Sequence, residues 1–488
     1  MPTEHVVARL ESEAFSCAGT QIHELVGREA ISRLFAFEVT LIAIDPSDFD
    51  ADRALGAEVD VVFELAGVEA RRVHGMVAAI TDELDSEPAH RTYRLSIRPR
   101  AHRLAMVETQ EVFLGLSVPD IVKQKLALVD LGATDVEARL SDAYAARDFV
   151  VEYKETDVAF VSRLTEHLGV SFFFETRDGK DVLVLGDSPS AFRPAPGAER
   201  LPFRPRGEAT GVFALEKKRE IMPAMWVVQD YNYRLPRVDL TSTDEVHGAY
   251  AGGVVEYGAH VKTPAESAAL AKARAEEREA ACRYFVGESD RTELAAGATF
   301  VLEGHPRLPG DQALLVVEVE HRLVQVVGTF GGKQVEHYKN TFRAVDASTR
   351  YRPPRTTPRP KIHGVVTALV EPKADGTLGS VADIDDWGRY TIRFYFDTSP
   401  LGERQKSSHA VRMIQQHAGP NYGTHLPLKA GIEVLVVFVD GDPDRPLVVG
   451  AVHNPVTPNP VVSSDPHKHR VKTASGILIE MRDAFARG

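Results

Sequence analysis

Apolar and polar residues alternate with a period of two along most of the chain, between clusters of turn-forming residues. This alternation is typical of β-strands that bury one face. The clearest predicted strands are 35–42, 59–65, 93–97, 182–185, 314–319 and 388–396. In the last strand, Tyr390, Ile392, Phe394 and Phe396 share one face, which we expect to lie in a core. The pattern predicts a mainly β protein.

Three segments have helical periodicity instead. Ser117 is placed to cap one helix, and residues 156–168 carry apolar side chains on one side ahead of Gly169, which suits a left-handed C-terminal position. Thr263 and Glu266 have capping-box spacing and precede an alanine-rich run. We expect these few helices to buttress β domains.

Proline clusters divide the chain, whose 488 residues correspond to about three domains. Prolines stiffen the connecting segments, and residues 188–206 are predicted to be a further connection without regular elements. The block 361–454 has at least four strand-like runs, which suits a small OB-type barrel. The predicted divisions are 1–349, a Pro-rich linker at 350–360, 361–454, a second Pro-rich linker at 455–467, and a short final segment at 468–488.

Charge and composition narrow the function classes. Lys and Arg number 57 against 70 Asp and Glu, so the net charge is -13, and an acidic surface repels a phosphate backbone. We therefore expect no nucleic-acid partner. The two cysteines, Cys17 and Cys282, are too few for a disulfide framework or a thiolate zinc site. The N-terminus lacks a continuous apolar segment, so we expect no signal peptide.

The search for catalytic motifs is negative. His23 and Glu24 begin like a zinc-protease motif, but Gly27 stands at the second ligand position. No nucleophile elbow, phosphate-binding loop or dinucleotide fingerprint occurs in the sequence. We therefore expect a protein that is not an enzyme, with no catalytic residues and no cofactor.

Metal binding is also not expected. The aspartates at 440, 442 and 444 resemble the start of a calcium loop, but Arg445 occupies the position that needs glycine. The histidines at 409, 417, 425, 467 and 469 lack the further ligands that would complete a set. We interpret the aspartate run as a tight turn in which Gly441 supplies positive φ. Its residues are Gly441, Asp442, Pro443, Asp444 and Arg445.

Two stretches carry the motifs of a known family. The first contains Tyr153, Glu155, Asp157, Phe160, Arg163, Leu164, Glu166 and Gly169. The second contains Arg412, Gln415, Ala418, Gly419, Gly423, Pro427, Gly431, Glu-Val-Leu-Val at 433–436, Gly-Asp-Pro-Asp-Arg-Pro at 441–446, Gly450 and Asn454. They resemble the signature of VgrG proteins, the trimeric spikes of type VI secretion systems. The resemblance runs from about residue 14 to 481, although His417 and Tyr422 stand where the family commonly has tryptophan.

The resemblance implies an architecture. It predicts two hub β-barrel subdomains that resemble a phage tail hub in 1–349, an OB-fold spike base in 361–454, and the first strand of a trimeric β-helix needle in 468–488. It also implies a homotrimer that binds a hexameric tube protein, baseplate components, a tip protein and effector cargo. Such a protein is assembled in the cytoplasm and then translocated out of the cell, contacting a target membrane transiently.

The final strand offers a trimer interface. Ile477, Ile479 and Met481 point to one side, which a single short strand cannot bury alone. We therefore predict that these three residues meet their counterparts in two other chains. One alternative remains open, the tail hub and spike of a contractile phage or of an extracellular injection particle. An enzyme-bearing spike is disfavoured because only about a dozen residues separate Asn454 from Lys468. A monomeric OB-type nucleic-acid binder is disfavoured by the net charge.

Overall fold

A computed structural model describes residues 5–44, 49–84, 91–206, 210–327, 337–373, 381–399 and 408–483. The chain divides into two compact units, which we call the N-terminal unit and the C-terminal unit. The N-terminal unit comprises Met1–Val107, Ser117–Ala145 and Thr156–Pro358. The C-terminal unit comprises Glu108–Leu116, Ala146–Glu155 and Arg359–Gly488. Two short segments from the first third of the chain therefore belong to the unit formed mainly by its last third.

Strands dominate both units, as the sequence predicts. The first sixteen are β1 Val6–Glu11, β2 Thr20–Ala30, β3 Ala36–Ala43, β4 Glu58–Leu65, β5 Val68–Glu83, β6 Arg91–Arg98, β7 Glu108–Thr109, β8 Val112–Phe113, β9 Val136–Arg139, β10 Val150–Val151, β11 Glu155–Thr156, β12 Ser171–Arg177, β13 Lys180–Gly186, β14 Arg193–Pro194, β15 Arg200–Pro202 and β16 Val212–Arg219. The others are β17 Met225–Gln229, β18 Ser242–Glu245, β19 Gly253–Tyr257, β20 Arg283–Ser289, β21 Ala298–Glu303, β22 Gln312–Val324, β23 His337–Asp346, β24 Val366–Val370, β25 Ile392–Phe394, β26 Ala418–Gly419, β27 Tyr422–Gly423, β28 Glu433–Phe438, β29 Pro446–Ala451, β30 Lys468–Lys472 and β31 Leu478–Arg482. The α-helices are α1 Ala51–Ala54, α2 Val118–Ala127, α3 Asp157–Leu168 and α4 Pro264–Cys282.

The first barrel of the N-terminal unit follows the strand order β1, β4, β5, β6, β3, β2, β22. The side chain of Gln325, just after β22, links this path back to β1. The Ala8 amide donates to Gln325 Oε1 (2.7 Å), and Gln325 Nε2 donates to the carbonyls of Ala8 (3.0 Å) and Ile22 (2.6 Å). A buried side-chain amide thus replaces ladder hydrogen bonds that the backbone does not make there.

The second barrel shares β22 with the first. Its path runs β21, β22, β23, β20, β16, and β15 lies parallel to β21. A bridge between Phe203 and Val212 connects β15 back to β16 and closes the ring. Its interior is apolar and contains Phe285, Phe300 and Phe342. The predicted pair of hub barrels is therefore present, with one long strand common to both.

The three predicted helices are confirmed, and each has the expected cap. Ser117 and Thr156 accept hydrogen bonds from the amides three residues later, Gly169 ends α3 with φ of 70°, and Thr263 caps α4. The prediction that 188–206 has no regular element is wrong. Short strands β14 and β15 pair there with β21, with Pro194 and Pro202 each ending a strand.

The C-terminal unit has a four-stranded sheet in the order β25, β24, β28, β29. Tyr390, Ile392 and Phe394 lie in its core, and Phe396 packs against that core, so the predicted face is confirmed although β25 itself is shorter than expected. Phe149 and Val151, from the early segment Ala146–Glu155, belong to the same core.

The final segment differs from its prediction. It is a hairpin of two antiparallel strands, β30 and β31, rather than one strand. Gly476, with φ of 96°, lies in the turn, and its amide donates to the carbonyl of Thr473 (3.0 Å). Within the described residues of this one chain, the segment forms this hairpin and not the intertwined β-helix of a trimer. The predicted range extends to 488, and its last five residues lie outside the described residues.

Candidate functional site

The predicted turn at 441–445 joins β28 to β29. Asp440 and Gly441 have φ of 54° and 72°, so two successive residues take left-handed conformations. The Asp442 amide donates to the carbonyl of Val439 (3.1 Å), and the Val439 amide donates to the carbonyl of Arg445 (3.0 Å). These bonds fix a compact corner at one end of the sheet.

The turn also holds two segments that are distant in sequence. The Gly441 carbonyl accepts from the Ile362 amide (2.8 Å), and Asp444 Oδ1 accepts from the Val151 amide (2.7 Å). Asp442 Oδ2 accepts from Arg359 Nη1 (3.0 Å), while Arg445 Nε lies 3.9 Å from the same oxygen. The partner of Asp444 is 293 residues away, so no local pattern signals it.

The C-terminal hairpin has two chemically different faces. Because directly opposed residues share a face, the register of β30 and β31 places Val471 beside Ile479 and His469 beside Met481 on one side. The other side carries Lys468, Arg470, Lys472, Leu478, Glu480 and Arg482. Arg470 Nε donates to Glu480 Oε2 across that side (2.8 Å).

The predicted interface residues lie on the apolar side: Ile477 immediately precedes β31, and Ile479 and Met481 lie within it. Ile477, Ile479 and Met481 retain 67%, 61% and 62% of their surface exposed. Among the residues that the structure describes, nothing covers this face. The sequence located the apolar residues, but not Val471, which a second strand adds to the same side.

Polar side chains are buried in the first barrel. Arg71 Nη2 donates to Glu29 Oε1 (2.6 Å), and His321 Nε2 lies 2.9 Å from the same oxygen. His321 Nδ1 lies 2.6 Å from the Tyr338 hydroxyl. The oxygen of that hydroxyl accepts a hydrogen bond from Asn340 Nδ2 (3.1 Å). This arrangement fits a neutral imidazole that donates from Nε2 and accepts at Nδ1.

Burial and charge together set the ionisation of this network. Burial lowers the pKa of His321. Burial also opposes ionisation of Glu29, but the Arg71 charge and the His321 hydrogen bond outweigh it and lower the pKa of the carboxyl. The Arg71 guanidinium additionally donates to the carbonyls of Thr292 (3.2 Å) and Leu294 (2.9 Å). The periodicity of single strands gives no sign of this network.

A second buried histidine behaves in the opposite way. His74 Nδ1 lies 2.8 Å from Asp60 Oδ1 and its Nε2 lies 3.2 Å from Glu58 Oε2. Burial acts to lower the pKa of His74, but the hydrogen bond and charge of Asp60 outweigh it and raise the pKa.

The incomplete zinc-protease motif lies inside a barrel strand. His23 and Gly27 are both in β2, and a Cβ at Gly27 would lie 2.3 Å from the Phe37 ring. In an extended strand, residues four apart lie far from each other, whereas the zinc-protease motif needs them on adjacent turns of a helix.

No helix among the described residues is long and apolar enough to cross a membrane.

Two family models match the sequence. The model of the phage tail baseplate hub (GPD) matches residues 28–327, which is more than half of the chain. The model of the type VI secretion system/phage-baseplate injector OB domain matches residues 377–453.

Curated relatives are similar over most of this chain. It is 30% identical over 442 residues to the type VI secretion system spike protein VgrG1b of Pseudomonas aeruginosa, covering 89% of this chain and 58% of the relative. It is 26% identical to the spike protein VgrG3 of Vibrio cholerae, covering 90% of this chain and 43% of the relative. The chain thus spans less than two thirds of these proteins.

Solved structures show the same fold. The Escherichia coli c3393 protein, a type VI secretion component described as similar to the T4 tail proteins gp27 and gp5, matches with a TM-score of 0.65 at 22% identity. This match covers 91% of this chain and all of that one. A Francisella PdpA-VgrG complex, half-lidded, matches with a TM-score of 0.61 at 9% identity, covering 99% of this chain and 83% of that one.

Proposed function

Because the chain belongs to the VgrG family of phage-tail-hub-like proteins, we propose that three copies form the hub and spike base of a type VI secretion system. In this proposal 1–349 is the hub region, 361–454 is the OB spike base, 468–488 is the root of the needle, and 350–360 and 455–467 are linkers. The segments 108–116 and 146–155 complete the C-terminal unit.

The apolar face of the C-terminal hairpin carries this proposal. Val471, Ile479 and Met481 are exposed on one side, and removing such side chains from water stabilises a protein by about 1.5–3 kcal/mol each. Three hairpins around a common axis would enclose these side chains and keep the charged faces in solvent. A closed cyclic arrangement gives each copy the same environment.

The role is mechanical and not enzymatic. The trimer would cap a hexameric tube protein and attach to baseplate components, and a contracting sheath would drive it outward through a target membrane. A tip protein and effector cargo would travel with it. The protein would be assembled in the cytoplasm and leave the cell through the machine itself. Its supports are the named spike relatives and the barrel pair that a tail hub uses.

A second candidate is the tail hub and spike of a contractile phage or extracellular injection particle. The baseplate-hub model describes phage proteins, and the observed fold serves both. In a bacterial host that carries the gene, its deletion should stop export of the tube protein if a secretion system uses the chain. Continued export with loss of released particles would favour the second candidate.

The oligomeric state tests the trimer directly. Light scattering of the purified chain at micromolar concentration should give three times 53.6 kDa. A monodisperse monomer over the accessible concentration range would contradict the proposal.

A further inference from the structure

Residues 413–428 form an arm without charged side chains. These sixteen residues contain no Asp, Glu, Lys or Arg, whereas such residues make up 26% of the chain. Depletion of charge, together with enrichment of tyrosine, characterises the centres of protein interfaces. Exposed positions are ordinarily occupied by charged residues, so an exposed loop of this length without them is unusual.

The arm is exposed over most of its length. Every residue from 416 to 427 is exposed, and β26 and β27 pair there as a small hairpin. Ile414, Tyr422 and Leu426 are large apolar residues on it that remain exposed. The arm therefore presents apolar and aromatic surface without competing charge.

The arm is also pre-organised. The Tyr390 hydroxyl lies 2.8 Å from His425 Nε2 and accepts from the Leu428 amide (3.1 Å), which ties the base of the arm to a core side chain. At the tip, Asn421 has φ of 62° after Pro420, as the central pair of a type II turn requires. The Tyr422 ring packs so closely on Gly419 that a Cβ there would lie 2.2 Å from it.

We propose that this arm is an interaction surface that contacts a second copy of the chain, with Tyr422 as its anchor. Each copy carries a net charge of -13, so identical chains repel one another and can approach most closely where charge is absent. A fixed arm also loses little conformational entropy on docking. This inference rests on the proposed trimer and adds a contact that the hairpin face does not provide.

Site-specific photo-cross-linking tests the contact in the full-length chain. A benzophenone amino acid replaces Tyr422 in one variant and Tyr395 in the control. Both side chains belong to the C-terminal unit, and they are 60% and 59% exposed. Irradiation of the purified Tyr422 variant should give cross-linked dimers and trimers in several-fold excess over the Tyr395 variant.

The outcomes separate the arm from the trimer. A trimeric mass with no excess cross-linking from Tyr422 overturns the arm contact and leaves the trimer intact. A monomeric mass overturns both. If Tyr422 cross-links in cells to a different protein and not to a second copy, the proposed occupant is wrong.

A charge substitution gives an independent readout. Tyr422→Glu should raise the dissociation constant of the assembly by roughly tenfold or more, as loss of an anchoring aromatic residue does, whereas Tyr395→Glu should change it by less than about twofold. Equal effects of the two substitutions, with both variants folded by circular dichroism, would overturn the role of Tyr422.

Discussion

The first barrel and the C-terminal hairpin place polar and apolar side chains in opposite ways. The barrel buries a glutamate, an arginine and a histidine at its core, whereas the hairpin leaves isoleucine, valine and methionine in solvent. In the barrel, several strands converge and supply these three buried side chains with hydrogen-bond partners. The hairpin has only two strands, so its apolar face can be completed only by another surface. One chain therefore completes the polar interior of the barrel by itself, whereas it leaves the apolar face of the hairpin uncovered.

Removing the cation of the buried network should have the largest effect. Arg71→Leu leaves the Glu29 carboxylate buried without its main counter-charge, and breaking such pairs costs about 3–5 kcal/mol. Denaturant unfolding should show this as a large fall in the transition midpoint of the N-terminal unit.

Arg28 is the matched control. It lies on the same strand as Glu29, its side chain is 70% exposed, and it pairs with Glu320 at 3.3 Å. Arg28→Leu should change stability by less than about 1 kcal/mol, since exposed pairs contribute little. Equal losses from both substitutions would show that the buried network contributes no more than a surface ion pair.

The hairpin should respond in assembly rather than in folding. Ile479→Asp places a charge on the apolar face and should weaken the trimer by about 1.5–3 kcal/mol per chain, the contribution of a buried isoleucine. Analytical ultracentrifugation across a dilution series should show dissociation at higher concentration than for the unmodified chain.

Leu478→Asp supplies the control for register. Leu478 lies on the charged face opposite Lys472, so an aspartate there meets a favourable neighbour. The trimer should persist in this variant. Loss of the trimer in Leu478→Asp, with retention in Ile479→Asp, would reverse the assignment of the faces.

The sequence predicted more of the hairpin's chemistry than of the barrel's interior. Period-two alternation identified Ile477, Ile479 and Met481 because neighbours along one strand determine which residues share a face. The contact of Glu29 with His321 spans 292 residues, and the closure by Gln325 spans 317 residues. Such contacts depend on barrel topology, which local patterns do not encode. Even in the hairpin, the turn at Gly476 was missed because a single glycine between short strands is a weak signal.

The turn at 441–445 offers a smaller test within the C-terminal unit. Gly441→Val forces a β-branched residue to φ near 72°, at a cost of about 1–3 kcal/mol. Its Cβ would also lie 3.4 Å from the Ile362 carbonyl oxygen. Thermal unfolding of the full chain should report a lower transition for this unit.

Gly450→Val is the control for that substitution. Gly450 lies in β29, where φ is not positive and no atom lies within 4 Å of an added Cβ. We expect little change in stability. If Gly450→Val lowered the stability as much as Gly441→Val does, the positive φ of Gly441 would not explain the effect of its substitution.

The smallest effects should come from the two barrel histidines, whose pKa values shift in opposite directions. Because the folded pKa of His321 is lowered, its contribution to stability is present above the unfolded value of about 6.5 and is lost as pH falls towards the folded pKa. Because the folded pKa of His74 is raised, its contribution is present below about 6.5 and is lost as pH rises through the folded pKa.

The free energy of unfolding should be measured from pH 5 to 8 for the unmodified chain, His321→Gln and His74→Gln. Subtracting each variant's profile should leave slopes of opposite sign, neither above about 1.4 kcal/mol per pH unit, which is the limit for one proton. Slopes of the same sign would mean that Asp60 and Glu58 do not keep His74 protonated, although their distances to it indicate that they should. Burial would then lower the pKa of both histidines.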